Sequence, residues 1–267
     1  MLEKKIILGV GITNTTTEEI LEYIITGLKR SAKKYYIVTP NPEILVLASR
    51  DFKYKDILNR AKIAVNDSIG VTIAGKILSK PLKERLTGVD LLESLCRKAA
   101  EKPITVGFLG GKDGVAEKTA ECLGMKYPSL RITFAASEWQ EDKFVLNDKR
   151  GKKQNITQNN AEKNISIVPR TVPLSSAIDI LFVAFGAPKQ EKWIYENLNK
   201  IPVKVSIGVG GAFDYISGKV PRAPLIIRKV GLEWLFRLII QPWRLKRQTE
   251  LLEFAFLVLK EKLKPLI

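Results

Sequence analysis

The sequence predicts an α/β fold: a mostly parallel sheet flanked by helices, followed by a basic amphipathic helical appendage. Three observations predict it. Short β-branched apolar runs alternate with segments whose apolar residues recur at helical spacing. Most of those runs end on Gly, Asn, Asp or Thr, the residues that tight turns at a sheet edge need. Beyond Pro221 the pattern gives way to a basic stretch studded with aromatics. The chain has 267 residues, and its 45% apolar content is enough for a substantial core.

The first element is the run "KKIILGVGIT", read as a strand, followed by "TTTEEILEYIITGLKRS". That second segment opens on Thr and Glu as a capping signal and sets Ile20, Ile24 and Leu28 along one helical face. A second strand, "KYYIVTPN", ends at Thr39-Pro40-Asn41, and "PEILVLASRDFKYKDILNRA" reads as helix. The short strand "KIAVND" stops at Asn66-Asp67, and "SIGVTIAGKIL" begins another helix. In "ERLTGVDLLESLCRKAAE", Leu91, Leu95 and Ala99 share a helical face. The buried strand "PITVGFLGG" runs into Gly110-Gly111, the helix "DGVAEKTAECLGMKY" follows, and "RITFAAS" is the next strand. "IDILFVAFGAP" and "VKVSIGVGGAF" are two more apolar strands, each ending in glycine. The alternation gives a Rossmann-like unit over residues 1–220 and an appendage over 221–267. Residues 138–166, rich in Asn, Gln and Lys, break the rhythm as a surface excursion to which no chemistry attaches.

Composition narrows the chemistry. Forty-four Lys and Arg against twenty-eight Asp and Glu give a net charge of +16, which calls for an anionic partner. Histidine is absent, so Ser-His-Asp and Cys-His nucleophilic schemes and His-based metal sites fall away, and an acid–base catalyst must be a carboxylate, Lys or Tyr. Cys96 and Cys122 lack CxxC spacing and read as two reduced thiols rather than a zinc site or disulfide. The N-terminus lacks the apolar run and cleavage site of a signal peptide, and no window is long enough to span a bilayer. The expectation is a protein retained in the cytoplasm that needs neither metal nor cofactor.

In a parallel sheet the carboxyl ends of the strands converge on one edge, which is where ligands bind. The residues delivered there are Thr39, Asn41, Asp67, Gly110, Gly111, Gln190, Gly210, Gly211 and Asp214. Taken singly, any of these glycines is a turn needing positive φ, and Asp67 is equally an N-cap for the helix after it. "GVGGAF" lacks the last glycine of a GxGxxG fingerprint, which disfavours a nicotinamide-dependent oxidoreductase. A nucleic-acid-binding protein, the other reading of the charge, lacks any motif of that class.

Taken together, "TPNPEILVLASRD", "VNDSIGV", "RLTGVDLL", "FLGGKDGVAEKTAE", "FVAFGAPKQEKWI" and "GVGGAFDYISGKVPRAP" resemble, in this order, the motifs of the WecG/TagA/CpsF glycosyltransferase family. The tail "GLEWLFRLIIQPWRLKRQ" resembles it too, so the likeness runs from about Ile6 to Gln248. It departs after "RITFAAS", where the polar insertion replaces a short Gly-Tyr-Phe-like segment of the family. The resemblance implies an inverting, metal-independent transfer of a sugar of the N-acetylmannosamine type from a UDP-sugar donor. The acceptor it implies is a polyprenyl-diphosphate-linked sugar at the inner face of the plasma membrane, in cell-surface polysaccharide or teichoic acid synthesis. It makes Asp67 the base, with Thr39 near the reacting centre. Asn41 and Gln190 are amides suited to sugar hydroxyls, and Arg85 is suited to a phosphate or the acceptor.

Between Arg222 and Arg247 seven basic residues face one acid, Glu233, among Trp234, Phe236, Leu238, Ile239, Ile240 and Trp243. Arg237, Arg244 and Arg247 fall at i, i+7 and i+10 on one helical face, although Pro242 must interrupt the helix. Composition alone allows either a solvated basic face or an interfacial element on an anionic membrane surface. The resemblance adds an active-site role for the three arginines, whose forks suit a diphosphate. It also implies homo-oligomers in which the tail's docked position is blocked.

Overall fold

The computed structural model describes residues 2–30, 33–139, 178–247 and 249–263, apart from the side chains of residues 29, 30, 246 and 247. The polar excursion therefore lies outside the described residues from position 140 onward. The run read as one opening strand is instead an antiparallel hairpin, β1 (Lys4–Ile7) and β2 (Val10–Thr13), separate from the main sheet. Leu8 and Gly9 both take positive φ, 50° and 78°, and that pair turns the chain back on itself as a tight hairpin requires. The segment 42–61, read as continuous helix, is likewise two: α2 (Pro42–Arg50) and α3 (Phe52–Arg60). Asp51 divides them because it closes α2 with extended backbone while its carboxylate accepts Tyr54 N–H to start α3.

Six strands make the main sheet: β3 (Tyr35–Val38), β4 (Ile63–Ala64), β5 (Thr105–Gly110), β6 (Arg131–Ala136), β7 (Ile178–Ala184) and β8 (Val203–Gly208). Their order is β4-β3-β8-β7-β5-β6, and every neighbouring pair is parallel. All six carboxyl ends thus lie on one edge, as the Rossmann-like reading requires. Successive strand residues face opposite layers. Phe108, Ile180, Phe182 and Ile207 pack toward α1 (Thr17–Arg30), α5 (Gly88–Ala100), α6 (Val115–Lys126) and α8 (Ala212–Ile216). Leu109, Leu181 and Val183 pack toward the hairpin, α2, α3, α4 (Ile69–Ile77) and α7 (Lys189–Asn197). Each of these fully buried side chains contributes about 2 kcal/mol by leaving water.

The chain then runs through α9 (Leu225–Lys229), α10 (Glu233–Ile240), a 3₁₀ stretch (Pro242–Arg247) and α11 (Thr249–Lys262). The helix stops before Pro242, which has no N–H to continue it. α11 lies on α2 and α4, burying Phe254 and Val258. Glu253 pairs there with Arg50, and Glu261 accepts from Lys80 and from the backbone N–H of Leu8 in the hairpin turn. No helix among the described residues is long and apolar enough to cross a membrane.

Candidate active site

The sheet edge presents two groups of side chains, and the appendage reaches both. The first lies at the ends of β3 and β4. Thr39 is 3% exposed, and its hydroxyl donates to the Gly208 carbonyl at 2.9 Å, so it serves as a cross-strand tie from β3 to β8. Asn41 caps α2, its Oδ1 accepting Ile44 N–H at 3.0 Å. Asn66 is buried and donates to Thr72 Oγ1 and to the Glu84 carbonyl, fixing the loop in which Asp67 sits.

Asp67 does not cap the helix that follows it. Ser68 does, accepting Val71 N–H at 3.1 Å. Asp67 Oδ1 instead accepts the N–H of Gly88, the first residue of α5, at 2.7 Å. Loss of hydration pushes its carboxyl up to about 7, with Glu233 and Asp90 adding to the rise, while the Gly88 N–H and Arg85 oppose it. A carboxyl in that range exchanges protons near neutral pH, the property a general base needs.

Arg85 donates to the Arg228 carbonyl at 2.7 Å, which ties the loop before α5 to α9 of the appendage. At Gly231, φ is 80°, and a Cβ there would fall 2.7 Å from Ile69 Cβ. The turn between α9 and α10 can therefore sit against the start of α4, two residues from Asp67. Arg222 anchors the same region from below, bonded to Asp90 at 2.6 Å and Glu233 at 3.1 Å.

The second group lies at the end of β8. Arg237 of α10 donates to Asp214 Oδ2 at 2.8 Å and to Gln241 Oε1 at 3.1 Å, and its guanidinium lies 4.7 Å over the Tyr215 ring. The Arg237 side chain is 14% exposed and lies against Gly211, where a Cβ would come within 2.5 Å of Nη1. Arg244 reaches the same Gln241 oxygen at 3.4 Å, so two of the three tail arginines share one cluster. The side chain of Arg247 lies outside the described residues.

The glycines have local reasons. Gly110, at φ 108°, would set a Cβ 2.8 Å from the Ala184 carbonyl carbon, and Gly111 would set one 2.9 Å from Val115. The first lets the end of β5 close up against β7, and the second lets the turn after β5 close against the start of α6. Gly210, at φ 55°, has open space around it. Gln190 departs from its expected place. It is 1% exposed and faces inward, its Oε1 accepting Gly186 and Gly210 N–H and its Nε2 donating to Glu191. It braces the strand-end loops from behind instead of reaching outward from them.

Sequence reasoning gave no individual site role to Glu191, Tyr215, Gln241, Arg222 or Glu233. Gln241 carried a usable signal, standing four residues after Arg237 and three before Arg244. The others depend on partners far away in sequence.

A model of the family described as "Glycosyl transferase WecG/TagA/CpsF family" matches residues 5–266. A Bacillus subtilis (strain 168) protein named N-acetylglucosaminyldiphosphoundecaprenol N-acetyl-beta-D-mannosaminyltransferase is 33% identical over 226 residues, 85% of this chain and 79% of that protein. A protein of the same name from Staphylococcus aureus (strain MRSA252) is 32% identical over 259 residues, 97% of this chain and 93% of its own length. A third, from Bacillus spizizenii, is 32% identical over 230 residues, covering 86% and 80%. The match takes in both the sheet edge that holds Asp67 and the arginine-bearing tail docked over it, and the chain belongs to the WecG/TagA/CpsF family of glycosyltransferases.

Proposed function

We propose that this glycosyltransferase moves N-acetylmannosamine from a UDP-activated donor to N-acetylglucosamine carried on a polyprenyl diphosphate, with inversion at the anomeric carbon. The observation that supports this reading most is the pairing of a base with a cation on one sheet edge. Asp67 has a proton affinity raised to about 7, and the helix that carries Arg237 docks over the same edge. An inverting transfer needs both. The acceptor hydroxyl oxygen attacks C1 of the donor sugar and its proton passes to Asp67, while the C1–O bond breaks and its electron pair leaves on the diphosphate of UDP. Arg237 and Arg244 stabilise the charge that develops on that diphosphate. The NH₂ group of Asn41, opposite the oxygen used as a cap, reads a sugar hydroxyl. Arg85 stands beside the base as a phosphate or acceptor contact.

The place of action follows from the appendage. Ile226, Ile239 and Trp243 are largely exposed, as are Leu252, Phe256 and Leu259 along one face of α11 and Leu263 just past its end. Apolar and aromatic side chains beside Lys and Arg suit the headgroup region of an anionic bilayer, where a polyprenyl acceptor resides. In this reading the enzyme is peripheral on the inner face of the plasma membrane, and residues 1–220 form the catalytic unit that the tail completes. The direct test incubates the protein with a panel of UDP-sugars and a polyprenyl-diphosphate-linked N-acetylglucosamine, following UDP release. Release that depends on the acceptor and is fastest with UDP-N-acetylmannosamine supports the proposal. Another preferred donor would reassign the sugar, and release without acceptor would reassign the reaction to hydrolysis.

A further inference from the structure

Behind the strand ends, three buried polar side chains from two helices form one hydrogen-bonded chain. Tyr54 of α3 donates its hydroxyl to Glu191 Oε2 at 3.0 Å, and Gln190 Nε2 donates to Glu191 Oε1 at 2.7 Å. Gln190 Oε1 then accepts two backbone N–H groups, Gly186 at 3.2 Å and Gly210 at 3.0 Å. Tyr54 and Glu191 are fully buried. Gly208 provides the room, since a Cβ there would lie 3.1 Å from Gln190 Nε2.

Two N–H donors converge on a single amide atom, so that atom is oxygen, and the amide nitrogen must then face the carboxylate. Glu191 locks this orientation. A flipped amide would aim its carbonyl at the carboxylate and its NH₂ at two other donors. Burying a carboxylate carries a desolvation cost that an apolar side chain would avoid, so packing alone gives no reason for an acid here. Position does give one. Gly186 and Gly210, both at positive φ, head the loops at the ends of β7 and β8, and one amide oxygen holds both loops.

We propose that Glu191, seconded by Tyr54, is a positioning residue for donor binding: it fixes the Gln190 amide, which in turn holds the two glycine loops at the separation that receives the nucleotide diphosphate. This rests on the reading of the strand ends as the UDP-sugar site. Glu191→Gln keeps the size of the side chain but replaces the charged acceptor of the Gln190 NH₂ with a neutral amide, so the hold on the Gln190 amide weakens while its two backbone donors remain. Tyr54→Phe removes only the supporting hydroxyl.

The experiment is titration calorimetry of UDP against the full-length protein and both variants, with steady-state kinetics for the UDP-sugar. In Glu191→Gln, the Kd for UDP and the KM for the donor rise about tenfold, the scale for a hydrogen bond to a charged group, and kcat stays within about twofold. Tyr54→Phe moves the same two constants in the same direction by less, and it carries the test if Glu191→Gln does not fold. A lowered melting temperature with unchanged Kd and KM, or a fall in kcat alone, would overturn the inference and leave the site reading standing. A wild-type protein that does not bind UDP would overturn the site reading, and this inference with it.

Discussion

Asp67 owes its availability to its neighbour. Because Ser68 caps α4, the Asp67 carboxylate is left to accept from Gly88 through one oxygen instead of capping α4. Asp67→Asn preserves an acceptor for Gly88 but removes the base, so turnover falls by at least about a hundredfold while UDP binding persists. The pH profile carries the sign. As the proposed base, Asp67 acts deprotonated, so wild-type kcat/KM is expected to fall about tenfold per pH unit below an apparent pKa near 7. Stability runs the other way. A carboxyl whose folded pKa lies above its unfolded value contributes fully only below the unfolded value, near 3.8, and that contribution is lost as pH rises toward 7. Asp67→Asn therefore melts higher than wild type at pH 8, and the gain disappears by about pH 4. A normal turnover in this variant would make Asp67 only a cap for α5. The placement of Thr39, Asn41 and Asp67 just past strand ends was legible because turn chemistry there is local. The inward face of Gln190 was not, since it depends on Tyr54, 137 residues from Glu191.

Elements were legible where periodicity was long and unbroken, as in α1, α5 and the central strands. The opening hairpin was missed because the apolar run continues straight through Leu8 and Gly9, and the turn rests on positive φ at both, uncommon for a leucine. The split at Asp51 was hidden in the same way, one residue ending one helix and starting the next. α11 divides its labour between two faces. Phe254 and Val258 hold it to α2 and α4, whereas the half-exposed Arg50–Glu253 pair adds little. Its opposite face leaves Leu252 76% and Phe256 63% exposed. The double variant Leu252→Glu/Phe256→Glu should keep its melting temperature and its turnover on a water-soluble acceptor analogue. Its adsorption to anionic vesicles, measured by sedimentation, should weaken by about tenfold or more. Undiminished adsorption would move the membrane contact to the α9–α10 surface.

At the scale of the whole molecule, the +16 charge and the absence of histidine support the proposal that cationic side chains do the work that a divalent ion does in many nucleotide-sugar enzymes. Among the described residues no group of three or more Cys, Asp or Glu side chains is arranged to hold a metal ion. Turnover should survive exhaustive dialysis against EDTA, and an absolute requirement for Mg²⁺ or Mn²⁺ would mean that the arginine cluster is misassigned. The fold could be read as a whole because parallel strands deliver their ends to one edge wherever the helices between them fall. The resemblance implied that the tail docks there, but not the contacts that dock it, which depend on the fit of Gly231 to Ile69 and on Arg85 meeting the Arg228 carbonyl. That docking is the central claim, because it makes one active site from two parts of the chain. The measurement that tests it most directly is UDP release by Arg237→Ala on a water-soluble acceptor analogue, where membrane adsorption plays no part. Turnover at least about a hundredfold below wild type, with the fold intact by circular dichroism, is the expected result, matching the loss of one charge-stabilising group at a reacting centre. Wild-type turnover would show that the tail only anchors the enzyme, and that the site is complete without it.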